Sequence, residues 1–142
     1  MNKLNKIQNK KQYTLLVQLQ PGTDTKQLAS QIVGNDPGQT VHHVDLSRIF
    51  TGHLKETEQR LNELFDQAKK ENWILFFDEA DALFGKRTDV SDAHDRYSNV
   101  EVSYLLGLLS KHEGRVIIGT SGDKSADASL LLLPHVIHYP KP

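Results

Sequence analysis

No cysteine occurs among the 142 residues, which excludes a disulfide framework, a thiolate-bound zinc and a cysteine nucleophile. Neither sign of charge dominates. Seventeen Lys and Arg face eighteen Asp and Glu, for a formal net charge of -1. A strongly basic nucleic-acid-binding surface is therefore not indicated. No apolar run reaches about 18 residues, so no membrane span is expected. The basic start MNKLNKIQNKK is not followed by an apolar stretch, so no secretory signal is read there and a reducing, cytoplasmic setting is the default. What remains is 37% hydrophobic and 25% charged, the balance of a soluble globular chain long enough for one domain with its own core.

Residues 1–11 hold Lys3, Lys6, Lys10 and Lys11 and little to bury, and read as a flexible basic arm ahead of a core domain over 12–142. A β-branched, apolar strand is predicted from Tyr13 to Leu19, ended by Pro21-Gly22. Leu28, Ile32 and Val33 recur at helical spacing, with capping residues at Thr23 to Thr25. Gly34 to Gly38 reads as a loop and Val41 to Leu46 as a short strand. From Lys55 to Lys70, Leu61, Leu64, Phe65 and Ala68 mark one helical face. Trp73 to Phe77 is continuously apolar, the sign of a strand buried on both faces of a parallel sheet. Lys86 to Arg96 is too polar for a core element. A further helix runs through Val100, Tyr104, Leu105, Leu108 and Leu109, closed by Gly114. Strands follow at Val116–Thr120 and Val136–Tyr139, with a short helix predicted over Leu130 to Leu133. Five strands alternating with about four helices predict an α/β domain whose parallel sheet is covered on both faces.

In such sheets ligands gather at the carboxyl ends of the strands. Here the apolar strand runs straight into Asp78-Glu79-Ala80-Asp81. Two adjacent carboxylates at the end of a buried strand are costly unless something uses them. Nucleotide hydrolysis is one use: one acid holds Mg²⁺ and the next directs the attacking water. A helix cap and a solvated acid are the alternative.

The segments ILFFDEADALFGKR, DAHDRYSNVEVSYLL and VIIGTS resemble the AAA+ ATPase family, in the branch with a DEAD-type Walker B motif and a long polar loop after it. The resemblance runs from about Tyr13 to Pro142. It implies a P-loop NTPase-type three-layer sandwich with a five-stranded parallel sheet in the order 5-1-4-3-2. It assigns Asp78 to the Mg²⁺-associated acid, Glu79 to the catalytic acid and Ser121 to the polar sensor at the end of the fourth strand. The family's phosphate loop, G-x-x-x-x-G-K-[ST], falls on Leu19 to Lys26. Leu19 stands at the first glycine, Asp24 at the second, Thr25 at the lysine and Lys26 at the hydroxyl residue, while Gly22-Thr23 keep the family look. Gly22, Thr23, Asp24, Thr25 and Lys26 are thus the candidate nucleotide-binding residues, in a degenerate form. A side chain replaces hydrogen where backbone must approach phosphate. Asp24 brings a negative charge, and the lysine comes one residue late. Gly34 to Thr40 mimics a phosphate loop but precedes a strand and reads as a connecting turn.

Other departures point the same way. The arginine finger's place, before the last strand, holds Leu130 to Leu133, and no arginine follows Arg115. A finger contributes on the order of 10³ to 10⁵ in rate. The substrate-gripping loop's aromatic-glycine pair falls on Gly52-His53-Leu54-Lys55, where His53 replaces the aromatic and Lys55 the glycine. The sequence ends at the last strand, before the place of the family's helical lid. Seven histidines invite a metal reading, but His42-His43 and His135/His138 face opposite ways along strands, so a zinc site is not expected.

These features predict a non-catalytic or regulatory AAA+-like domain, with weak or absent ATP/ADP and Mg²⁺ binding. Its partner would be another protein, such as an active AAA+ protein, with no nucleic acid or membrane. A monomer or dimer is expected sooner than a hexamer. Two alternatives stay open. One is a minimal Mg²⁺-dependent ATPase that uses Lys26 and a borrowed arginine. The other is a free-standing protein-interaction module without nucleotide.

Overall fold

The computed structural model describes residues 10–20, 22–34, 38–78, 99–121, 133 and 136–139. Within them the elements are β1 (Tyr13–Leu19), α1 (Thr25–Val33), β2 (Val41–Val44), α2 (Leu46–Ile49), α3 (Leu54–Glu71), β3 (Ile74–Phe77), α4 (Asn99–Lys111), β4 (Arg115–Ser121) and β5 (Val136–Tyr139). All strand pairs are parallel, and the sheet order is β2-β3-β4-β1-β5. Read from the other edge, this is the order 5-1-4-3-2. The architecture is an α/β sandwich of the P-loop NTPase type.

Alternation along the central strands sends side chains to two separate cores. Leu75 and Phe77 of β3 and Val116 and Ile118 of β4 face α3 and α4, where Leu61, Phe65, Ala68, Leu105 and Leu109 cover them. Ile74, Phe76 and Ile117, with Tyr13, Leu15 and Val17 of β1, face α1 through Ala29 and Ile32. Every residue of β3 is fully buried, which is why its sequence is unbroken apolar rather than alternating. Burying each such side chain contributes about 1.5–3 kcal/mol.

The ends of the helices follow from local chemistry. The α1 N-cap is Asp24, and Gly34 ends the helix with φ +83°. α3 carries Glu56 in its first turn and Lys69 and Lys70 in its last, complementing the helix dipole. It ends at Asn72 in the left-handed conformation, and the Trp73 N–H turns back to the Ala68 carbonyl. Trp73 therefore precedes β3 instead of opening it.

The expected strand from Val41 to Leu46 is corrected: β2 stops at Val44. Asp45 accepts from the Ser47 N–H and starts the single turn α2, which buries Leu46. An Asp one residue before an apolar position is a cap signal, and it outweighs the strand propensity of the preceding valine. The expected short helix over Leu130 to Leu133 lies outside the described residues except for Leu133, which is buried in the α3/α4 core. The stretch from Lys86 to Arg96 lies outside them too. No helix among the described residues is long and apolar enough to cross a membrane.

Candidate functional site

The parallel register brings four strand ends to one edge. Leu19, the last residue of β1, pairs with Ser121, the last of β4, and Phe77 of β3 pairs with Ile118 of β4 and Val44 of β2. Candidates from β1, β3 and β4 therefore share the carboxyl edge of the sheet, where open α/β sheets bind ligands. Ser121 is placed as expected, at the end of the fourth strand. Glu79 lies outside the described residues.

Asp78 follows β3 directly. Its Oδ2 lies 3.2 Å from Nδ1 of His43, and the two side chains are 30% and 29% exposed. Its other oxygen, Oδ1, is buried and has no hydrogen-bond partner among the described residues. A buried acceptor left unpaired costs about 1–3 kcal/mol. A carboxylate in that position suits a cation or a cation's water, so Asp78 fits the Mg²⁺ role that its place in the sequence implies. His43 is held as well: its ring stacks on Phe76 with centroids 5.0 Å apart. His42 goes to the other face and stacks on Trp73 at 4.3 Å. The two histidines do face opposite ways, but the pairing of His43 with an acid two strand positions beyond its register partner was missed. Only the parallel alignment of His43 with Phe76 reveals it. Among the described residues no three His, Cys, Asp or Glu cluster around one point.

After β1 the chain turns tightly. The Thr23 N–H and hydroxyl both donate to the Gln20 carbonyl, at 3.1 and 2.6 Å, and Gly22 takes φ +82°. The Asp24 carboxylate then accepts from the Lys26 N–H at 3.0 Å and the Gln27 N–H at 3.2 Å. These are amides of the first turn of α1, the turn that would face a phosphate in a nucleotide-binding loop. Thr25 opens the helix, and Lys26 is exposed. The five residues from Gly22 to Lys26 thus form a capped turn, in which Asp24 supplies from within the anionic group that a helix N-terminus favours.

Leu19 has its own accommodation. A Cβ on Gly119 would lie 2.9 Å from Leu19 Cδ1 and 3.5 Å from Phe76 Cε1. The missing side chain on β4 makes room for the leucine on β1.

Gly52, which starts the stretch compared with the substrate-gripping loop, and Thr51 just before it are tied from below. Glu101, 1% exposed at the start of α4, accepts from the Thr57 hydroxyl at 2.5 Å and from the Gly52 N–H at 3.4 Å. Thr57 in turn accepts from the Thr51 N–H at 3.2 Å. Neither Thr57 nor Glu101 stands out in the sequence. Both sit among helix-forming residues, and 44 positions separate them.

A parallel 2-3-4-1-5 sheet with acid-bearing strand ends defines a P-loop NTPase-type domain. The family model for the ATPase family associated with various cellular activities (AAA) matches residues 15–137, and the chain belongs to that family. It is similar to the "Uncharacterized AAA family ATPase y4kL" of Sinorhizobium fredii, 34% identical over 74% of this chain and 32% of that protein. The "ATPase family gene 2 protein" of Schizosaccharomyces pombe is also 34% identical, over 78% of this chain and 14% of its own length. The human "Vacuolar protein sorting-associated protein 4A" is 27% identical over 71% of this chain and 24% of its own. The matches thus span about a third of these relatives' length or less.

Proposed function

We propose that this AAA-family core is a non-catalytic or regulatory domain that works through a protein partner, such as an active AAA+ protein, and does not turn over nucleotide itself. The observation that carries the reading is the Asp24 carboxylate on the Lys26 and Gln27 amides. An ATP phosphate would have to displace a capping carboxylate worth about 0.5–2 kcal/mol to the helix and then sit beside its charge. The lysine of the pattern comes one residue late, at Lys26, and the place of the arginine finger holds Leu130 to Leu133. ATP and ADP therefore bind weakly or not at all. Asp78 is the acid that still suits a divalent cation, and Glu79 and Ser121 are the other family-matched positions.

Calorimetry of ATP and ADP with Mg²⁺ tests this, on the wild type, Lys26→Ala and Asp24→Gly. No heat of binding at millimolar nucleotide is expected for the wild type. Micromolar binding that Lys26→Ala abolishes would overturn the reading in favour of a minimal Mg²⁺-dependent ATPase. Hydrolysis would then be assayed with Glu79→Gln as the control.

A further inference from the structure

The other end of the sheet holds a cavity that the proposed function leaves unused. Trp73 precedes β3 and Gly114 precedes β4, so this is the amino edge, opposite the strand ends that carry Asp78 and Ser121. An open groove of about 330 Å³ lies there between the C-terminal turns of α3 and α4. That volume falls within the range of small-ligand sites, near its lower bound. Phe65, Ala68, Trp73 and Leu108 supply the apolar wall, and Lys69, Lys111 and His112 stand beside it.

The aromatic part is built in advance. The His42 ring covers one face of the Trp73 indole, parallel to within 6° and 4.3 Å away. Phe65 and the His112 ring meet edge to face, with centroids 5.2 Å apart. Rings already held in place lose little freedom when a ligand ring packs on them.

The charge in the groove is less even than its composition. Asp66 and Glu113 balance Lys69 and Lys111 in number, and none of the four makes an ion pair among the described residues. At the His112 ring, however, the Lys69 charge lowers the pKa more than Glu113 raises it. The groove beside that ring is therefore electropositive. The carbonyl ends of α3 and α4 would oppose an anion, but Lys69 and Lys70 on α3 and Lys111 on α4 offset them. Nε2 of His112 is also buried and unpartnered among the described residues, lying against Gly114, where a Cβ would come within 2.5 Å of it. An unpaired buried nitrogen is a cost that a ligand oxygen would relieve once the ring turns toward it.

We propose that the groove between the C-terminal ends of α3 and α4 is a binding site for a small aromatic carboxylate, with the ring against Phe65, Trp73 and Leu108 and the carboxylate at Lys69 and Lys111. The site lies at the opposite edge from the phosphate turn, so it stands whether or not the domain binds ATP.

Trp73 is the only tryptophan of the chain, so its emission reports this groove alone. The test titrates the full chain, without nucleotide, with phenylacetate, phenylacetamide, phenethylamine and acetate, reading tryptophan fluorescence. Saturable quenching by phenylacetate with a Kd of about 1 mM or below is expected, the affinity of a small ligand that makes efficient contacts. Phenylacetamide and phenethylamine keep the ring and lose the charge or reverse it, and should bind at least about fivefold more weakly. Acetate should leave the emission unchanged. Lys69→Gln and Lys111→Gln together should weaken phenylacetate about tenfold. Both lysines are exposed, and thermal melts confirm that the double variant is folded. No saturable change with phenylacetate would overturn the proposal. Equal binding of phenylacetamide would overturn the carboxylate and leave a seat for the neutral aromatic side chain of a partner. Equal binding of phenethylamine, or phenylacetate affinity unchanged in the double variant, would overturn it as well.

Discussion

The Thr57 hydroxyl donates to Glu101 at 2.5 Å and joins α3 to α4 beneath the turn at Thr51–His53. Both side chains are buried, so neither can exchange its partner for water. Thr57→Val removes a donor from a buried carboxylate and an acceptor from the Thr51 N–H while keeping the shape. It should lower unfolding stability by about 1–3 kcal/mol. Thr57→Ser should recover most of that loss. Urea denaturation measures both, and a valine variant within about 0.5 kcal/mol of the wild type would show that the contact carries no net stability.

Much of the fold was legible because its signals are local. The unbroken apolar runs of β3 and β4 and the helical faces of α1, α3 and α4 each announce themselves within ten or fifteen residues. Asp78 was legible for the same reason, since an acid closing a buried strand is conspicuous. The contacts around it were not. His43 meets Asp78 only because β2 and β3 align in parallel, and Glu101 meets Thr57 only because α3 and α4 pack on one face. Asp24 could be read as a charge set against phosphate. A cap among Thr23 to Thr25 was legible too; that Asp24 is the residue that supplies it depends on its extended backbone, φ -79° and ψ 105°. The loss of strand at Asp45 has the same origin: a cap competes with a strand, and the cap prevails when the next residue buries an apolar side chain.

His112 gives the stability curve a definite pH sign. Burial, helped by the nearby Lys69, holds its pKa below the usual value, with Glu113 opposing. Nε2 is buried and has no hydrogen-bond partner among the described residues. The unfolded chain therefore binds a proton at a pH where the folded chain does not. Stability is unaffected well above the ordinary histidine pKa of about 6.5 and falls as pH drops through it. His112→Gln cannot titrate. Chemical denaturation from pH 8 to pH 5 should show the variant gaining on the wild type as pH falls. A stability difference that is flat with pH would remove His112 from the acid sensitivity of the fold.

Gly119 and Leu19 should be energetically coupled. A Cβ at Gly119 would stand 2.9 Å from Leu19 Cδ1, and valine adds two more methyl groups at that place. Gly119→Val should destabilise the wild type by about 1–3 kcal/mol through overpacking. In a Leu19→Ala background the space is vacated, so the same substitution should cost less. The double-mutant cycle should yield a coupling of about 0.5 kcal/mol or more. Additive effects would mean that the leucine moves aside freely and that the glycine is not its complement.

Asp24 separates two roles that one residue combines, a stabilising cap and an obstacle to phosphate. As a cap it accepts two amide hydrogens. Asp24→Ala should therefore cost about 0.5–2 kcal/mol, while Asp24→Gly should cost only a few tenths, because glycine leaves the amides open to water. Asp24→Gly also removes the charge and the Cβ from the place where backbone would approach a phosphate. If the carboxylate is what excludes nucleotide, this variant should bind ADP measurably more tightly than the wild type at an almost unchanged Tm. Asp24→Asn, which keeps the cap and drops the charge, should fall between them. If Asp24→Gly binds no better than the wild type, the obstacle is the turn itself, in which Thr23 closes onto the Gln20 carbonyl and Lys26 stands one residue beyond the place of the phosphate lysine. Either result keeps the stability prediction separate from the binding one, because the first is read from denaturation and the second from calorimetry on the same three proteins.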